Sequence, residues 1–143
     1  MSSGCHRMER TRDSKILVVD DEGIVLDSCR RVLEAEGFEV LMVASAERAL
    51  QVLEDERPLL LLVDLKMPEH DGIYLMRQVK ERWADIPMIV MSGYHTVETI
   101  AEAAKHGAAT FIPKPFTPDE LLETIHQVIE KGARHGKEES LGD

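Results

Sequence analysis

Apolar and polar positions fall in blocks along this chain, and the blocks recur in one order. Residues 16–19 (ILVV) form a short apolar run that ends in acids. Val25, Cys29, Val32 and Leu33 then share one face at helical spacing, and Gly37 stops the pattern. Residues 38–43 read as a second strand. Ser45 suits a helix N-cap, and Ala46, Ala49, Leu50 and Leu53 share the face that follows. Residues 59–63 (LLLLV) are the most apolar run and are expected at the centre of a sheet. Pro68 and Gly72 punctuate the next loop, after which Gly72, Met76, Val79 and Trp83 recur at helical spacing. Residues 88–91 (MIVM) predict a fourth strand. Val97, Ile100, Ala101 and Ala104 mark a fourth helix that stops at Gly107, and residues 109–112 predict a fifth strand. The last helix carries Leu121, Leu122, Ile125, Val128 and Ile129. At its start, Thr117 suits the N-cap, Pro118 the first helical position and Glu120 the third residue of a capping box.

Five strand–helix units in series predict an α/β fold, a doubly wound (βα)5 parallel sheet with helices on both faces. The near-continuous apolar strands agree, because parallel strands are covered on both sides. This unit occupies residues 15–130. Residues 1–14 are polar and unpatterned and read as an N-terminal tail, within which Met8 is a second candidate start. Residues 131–143 lack apolar periodicity and read as a C-terminal tail or the start of a linker.

Composition narrows the function. A length of 143 residues fits one domain with short tails. Seventeen Lys and Arg against 27 Asp and Glu give a formal charge of −10, which argues against gripping nucleic-acid phosphates and suits a cation. Two cysteines, Cys5 and Cys29, make neither a disulfide framework nor a four-ligand zinc site, so a reducing cytoplasm is expected. The longest apolar run is too short to span a membrane, and the first residues lack the apolar stretch of a secretory signal.

Ligands of open α/β sheets bind beyond the carboxyl ends of the strands. Asp20, Asp21 and Glu22 follow the first strand, Asp64 the third, Ser92 and Gly93 the fourth, and Lys114 and Pro115 the fifth. Three aspartates at one rim repel one another; two unit charges about 4 Å apart interact by roughly 4 kcal/mol at an effective dielectric of about 20. Such a cluster calls for a cation, and hard oxygen ligands suit Mg²⁺. A lysine and a hydroxyl beside it suit phosphoryl oxygens, so phosphoryl transfer is predicted, with one Asp as nucleophile. Taken singly, each residue has a plainer reading. Asp20 or Asp21 caps a helix, Asp64 forms a turn, Ser92 and Gly93 make a bend, and Lys114 is solvated. Their joint placement at four strand ends favours the site. The histidines lack metal-ligand spacing, and Cys29, the methionines and Trp83 read as packing residues.

The segments ILVVDDE (16–22), LLLLVDLKMPEHDG (59–72), MIVMSGY (88–94) and FIPKPF (111–116) closely resemble the receiver domain of bacterial two-component response regulators, over residues 15–130. The resemblance implies a flavodoxin-like strand order, 2-1-3-4-5. It implies that Asp64 accepts a phosphoryl group from a histidine on a sensor kinase or phosphotransfer protein. Mg²⁺ is then held by Asp20, Asp21, Asp64 and the backbone carbonyl of Lys66, with Asp20 acting mostly through water. Lys114 pairs with one phosphoryl oxygen, Ser92 hydrogen-bonds another, and the Lys114–Pro115 bond is cis. Phe111 is the aromatic switch, and the surface of the fourth helix, fifth strand and fifth helix changes. That surface meets an output domain, another protein or a second copy in a homodimer. The chain is thus a signalling switch rather than a turnover enzyme, with no nucleic acid or membrane contact of its own. Ser92 stands where Thr is frequent and keeps the hydroxyl. Phe111 stands where Tyr is frequent and offers no hydroxyl.

The PKPF sequence and residues 92–111 resemble receivers of ATP-dependent enhancer-binding transcription activators more than those of winged-helix regulators. The chain itself has no P-loop, and it reads as a stand-alone receiver or one domain of a longer regulator. Three other readings fit the residues less well. A haloacid-dehalogenase-like phosphohydrolase needs a second Asp two residues after its nucleophile, and neither Asp20-Asp21-Glu22 nor Asp64-Leu65-Lys66 fits. A flavodoxin-like nucleotide binder needs a phosphate-cradling loop where this chain has acids. A phosphate-independent interaction module has no need of the acids and Lys114. By the same resemblance, Lys66 and Tyr94, two residues after Asp64 and Ser92, tune the phosphoryl lifetime, a long cation and an aromatic ring shielding the group from water. Replacing Tyr94 with Ala is therefore expected to shorten the phosphoryl lifetime, measured by the decay of labelled protein after the donor is removed.

Overall fold

The computed structural model describes residues 15–65, 71–93 and 96–142. In chain order the elements are β1 (Lys15–Val19), α1 (Gly23–Ala35), β2 (Glu39–Val43), α2 (Ala46–Asp55) and β3 (Leu60–Asp64). There follow α3 (Asp71–Arg82), β4 (Met88–Ser92), α4 (Val97–Lys105), β5 (Ala108–Pro113) and α5 (Pro118–Gly142). The five strands are parallel in the order β2-β1-β3-β4-β5. This is the expected doubly wound sheet, with β3 at its centre.

The apolar residues of β1, β3 and β4 divide between two cores. Leu17, Val19, Leu61, Val63, Met88 and Val90 join Ala46, Ala49 and Leu53 of α2 and Leu75, Met76 and Val79 of α3. Ile16, Val18, Leu60, Leu62, Ile89 and Met91 join Cys29 and Leu33 of α1 and Leu121, Ile125 and Val128 of α5. The two-residue alternation of a strand sends neighbours to opposite faces. Because both faces are covered, the runs look uniformly apolar in the sequence. Burial pushes the Cys29 thiol up to about 11, which suits a packing residue.

The predicted caps are formed. The Arg48 N–H donates to Ser45 Oγ at 3.2 Å, opening α2. The Thr117–Glu120 box closes in both directions: the Thr117 N–H donates to Glu120 Oε1 at 2.9 Å and the Glu120 N–H to Thr117 Oγ1 at 3.1 Å. Gly37 and Gly107, at φ of 99° and 102°, close α1 and α4 in the left-handed region that favours glycine.

Three details differ from the expectation. Phe38 lies just before β2, and β3, β4 and β5 each extend to include a residue at their carboxyl end, Asp64, Ser92 and Pro113. The helix α5 continues past residue 130 to Gly142, where no apolar repeat predicted it; among the described residues its last core contacts are Val128 and the half-buried Ile129. Lys, Ala, Arg and Glu are good helix formers, so a helix already nucleated by its packed half can propagate into them. The apolar stripe read on α4 is largely uncovered: Val97 is 83% and Ile100 41% exposed, and the buried residue is Ala103. Periodicity identified a helix there but not what covers its face.

Gly72, in the first turn of α3, fixes how closely that helix meets the end of β3. A Cβ at this position would lie 2.7 Å from the Asp64 carbonyl oxygen and 2.9 Å from Leu65 Cα, both backbone atoms. In an open helix, Gly→Ala stabilises by about 1 kcal/mol. Here the sign should reverse: Gly72→Ala is expected to lose about 1–3 kcal/mol in urea unfolding, because backbone has to shift to admit the methyl.

Candidate functional site

The carboxyl ends of β1, β3, β4 and β5 meet at one rim. The Asp20 N–H donates to the Val43 carbonyl at 3.1 Å, carrying the backbone one residue past β1. The chain then turns, and Asp20 Oδ1 accepts the Glu22 N–H at 2.8 Å. Glu22 is the N-cap residue of α1 by backbone geometry, but its side chain makes no capping bond. The helix-cap reading of Asp20 therefore does not hold: one of its oxygens binds the local Glu22 N–H, and the other faces the site. Asp64 ends β3 opposite Met91, and the Leu65 N–H donates to the Met91 carbonyl at 3.1 Å. Ser92 ends β4 opposite Pro113, and its carbonyl accepts the Lys114 N–H at 2.8 Å. The Lys114–Pro115 peptide is cis, as expected. Pro113 sits on an edge strand, where a missing N–H is tolerated.

These backbones bring together side chains that are far apart in the sequence. Asp20, Asp21 and Asp64 each place a carboxylate oxygen within 4.8 Å of the others. Asp20 and Asp64 are buried and Asp21 is exposed. Lys114 Nζ donates to Asp20 Oδ2 at 2.8 Å and to Glu22 Oε1 at 2.9 Å, and lies 3.3 Å from Asp64 Oδ2. A cavity of about 320 Å³ opens over them, lined by Asp21, Glu22, Asp64, Gly93 and Lys114. Ser92 is fully buried beside it. Among the described residues, no buried side-chain nitrogen or oxygen lacks a hydrogen-bond partner.

Charge and burial oppose each other here. Burial pushes the Asp20 carboxyl up to about 6; the Lys114 and Glu22 N–H hydrogen bonds pull it down only in part, and the Asp64 charge adds to the rise. Burial works to lower the Lys114 ammonium, but bonds to Asp20 and Glu22 and the charges of Asp20 and Asp64 outweigh it, holding it above the ordinary lysine range. A divalent cation among the three aspartates would relieve the same excess of negative charge, and an all-oxygen donor set fits Mg²⁺.

Other sequence-predicted positions lie elsewhere. Phe111 is half-buried in β5 opposite Val90, against the core and at the floor of an apolar groove of about 480 Å³ between α4 and β5. Lys66 and Tyr94 lie outside the described residues, as do His70 and His95. His126 and His106 lie near Glu36 and Glu102 at 3.5 and 4.0 Å, away from the rim. Sequence reasoning missed Glu22 as a partner of Lys114. It is the third acid of a run after β1, yet 92 residues separate it from the lysine, and no local spacing signals that contact.

The response regulator receiver domain model matches residues 16–126 of this chain. The hydrogenase transcriptional regulatory protein HoxA of Cupriavidus necator is 38% identical over 126 residues, covering 87% of this chain and 26% of that protein. This chain thus spans about a quarter of HoxA. Sporulation initiation phosphotransferase F of Bacillus subtilis is 32% identical over 117 residues, covering 82% of this chain and 94% of that protein. Among solved structures, a CheY-like response regulator receiver domain protein from Methanospirillum hungatei superposes with a TM-score of 0.80 at 33% identity, covering 85% of this chain and 98% of that one. NtrX from Brucella abortus superposes with a TM-score of 0.82 at 31% identity, covering 89% of this chain and 29% of that one. With its sheet order, its acidic rim and these matches, the chain belongs to the response regulator receiver domain family.

Proposed function

We propose that this receiver accepts a phosphoryl group on Asp64 from a sensor histidine kinase or phosphotransfer protein, with Mg²⁺ as cofactor. The observation that carries this reading is the position of Lys114, which lies 3.3 Å from Asp64 Oδ2 at the wall of an open cavity. In the transfer, an Asp64 carboxylate oxygen attacks phosphorus. The phosphorus–nitrogen bond to the donor histidine breaks, its electron pair returns to the imidazole, and an acyl phosphate remains on Asp64. Asp20, Asp21 and Asp64 hold the cation, together with the Lys66 carbonyl that the family resemblance supplies. Bound there, Mg²⁺ offsets charge on the transferring oxygens. Lys114 pairs with one phosphoryl oxygen and the Ser92 hydroxyl donates to another.

The product adds about −1.5 to −2 charge, by analogy with other phosphorylated side chains. Moving a two-state equilibrium from 1:99 to 99:1 takes about 5.5 kcal/mol of differential binding. A charged hydrogen bond at Lys114 of about 1.5–3 kcal/mol, a bond at Ser92 and relief of carboxylate repulsion are of that order together. Movement of Ser92 draws Phe111 inward, and α4, β5 and α5 rearrange. The exposed Val97 and Ile100 and the groove over Phe111 support this face as the output surface, met by an attached domain, another protein or a second copy. The similarity to HoxA, named as a transcriptional regulatory protein, supports an output in transcription through a longer regulator. The formal charge of −10 speaks against DNA contact by this domain itself. Among the described residues no helix is long and apolar enough to cross a membrane, and we place the domain in the cytoplasm as a switch that catalyses only its own phosphorylation and slow dephosphorylation.

Incubation with acetyl phosphate and Mg²⁺ should raise the intact mass by one phosphoryl group; the gain should vanish without Mg²⁺ and in Asp64→Asn. A wild-type protein that binds Mg²⁺ and gains no mass would favour a phosphate-independent module. Asp20 supplies a second test. Its carboxyl is raised in the folded protein from 3.8 to about 6, so the ionised form costs stability. That cost is absent below pH 3.8, grows as pH rises and is complete above about 6. Without metal, Asp20→Asn is therefore expected to be more stable than wild type at pH 7 by about 1–3 kcal/mol, the gain shrinking towards pH 4. Saturating Mg²⁺ should stabilise wild type more than the variant; at one hundred times Kd the increment is about 2.7 kcal/mol. Urea unfolding at both pH values measures each difference.

A further inference from the structure

We propose that Glu22 is a positioning residue for the phosphoryl reaction: it holds one donor of Lys114 and yields it to an incoming phosphoryl oxygen. The inference rests on Asp64 being the acceptor.

An ammonium group has three donors. In this structure two point to Asp20 Oδ2 and Glu22 Oε1, at 2.8 and 2.9 Å, and Asp64 Oδ2 lies 3.3 Å away for the third. Two carboxylates thus hold donors of Lys114 and a third faces it at ion-pair distance before any phosphoryl group arrives, so an incoming phosphoryl oxygen competes with them. The three differ in what release costs. Asp20 is fully buried, and letting it go would leave an unpaired charge out of water. Asp64 is the proposed reacting group and is also buried. The Glu22 side chain is 60% exposed, so water takes the place of the lysine when it leaves. Its backbone does not need to move, because the Glu22 N–H stays bonded to Asp20 Oδ1 and the residue is fixed at the start of α1. Glu22 also lines the cavity through which the donor approaches. The side chain therefore acts as an exchangeable clasp. It keeps Lys114 Nζ at the mouth of the site, and phosphoryl binding has to compete with it.

Glu22→Gln keeps the chain length and an acceptor oxygen but removes the charge that holds the ammonium. It should fold normally, since the side chain is exposed. Phosphorylation by acetyl phosphate is expected to become about two- to fivefold faster, and fluoroberyllate, a phosphoryl mimic, to bind tighter by a similar factor, the size of an exposed ion pair. The alternative is plain repulsion between Glu22 and the anionic donor, and a double-mutant cycle separates the two. If Glu22 works through Lys114, the substitution has no effect in a Lys114→Ala background. An effect of equal size in that background would overturn the proposal. So would unchanged phosphorylation and fluoroberyllate affinity in Glu22→Gln. Fluoroberyllate titration reads the cycle where Lys114→Ala makes transfer too slow to follow. In metal-free protein the Lys114 Nζ resonance should also shift in Glu22→Gln, and a resonance that stays in place would contradict the clasp directly. Wild-type controls keep the premise separate: if wild type neither gains a phosphoryl group at Asp64 nor binds fluoroberyllate, the acceptor reading fails. If it does either, the cycle judges Glu22 alone.

Discussion

The structure depends on one electrostatic conflict. Parallel strands that end together deliver Asp20, Asp21 and Asp64 to the same rim, within 4.8 Å of one another, where burial strips two of them of water. Carboxylates so placed repel strongly, and among the described residues Lys114, just past β5, answers with positive charge. Lys114 reaches across to Asp20, Glu22 and Asp64. The solution is incomplete, since Asp20 is still raised to about 6. Further positive charge at the rim would relieve that residual strain.

Holding such a rim requires a rigid base. The two cores supply it by packing α2 and α3 on one face of the sheet and α1 and α5 on the other. Hydrogen bonds that run past the strand ends, from Asp20 to Val43, Leu65 to Met91 and Lys114 to Ser92, extend that order into the site. Gly72 lets α3 approach the backbone of Asp64 more closely than any side chain would allow. The acids are thus fixed by backbone, and the adjustable parts are the two longest side chains, Lys114 and Glu22.

The opposite property appears at α4. Its buried residue is one alanine, Ala103, while Val97 and Ile100 are exposed and Ile100 lines the groove that Phe111 also lines. A helix held by few apolar contacts is free to shift when its neighbours change. The molecule thus pairs a rim tied by backbone hydrogen bonds with a helix that buries little apolar surface, the two connected through β4 and β5. A switch needs this division, because a small change at the rim must move something else.

Local signals in the sequence suffice for most of the elements and for which side chains reach the rim. Strand runs of four or five apolar residues, Ser45 and Thr117 as caps, and Gly37 and Gly107 as stops are local signals, and each is fixed by backbone chemistry within a few residues. The placement of Asp20, Asp64, Ser92 and Lys114 at successive strand ends was legible too, because parallel strands point one way and their ends share a rim. Tertiary structure alone decided what these groups touch. The bond from Lys114 to Glu22 spans 92 residues, the exposure of the α4 stripe depends on what packs beside it, and the burial that raises Asp20 comes from every element around the rim. The reason is range: hydrogen-bonded turns and periodic faces are set by neighbours in the chain, whereas desolvation and ion pairing are set by neighbours in space.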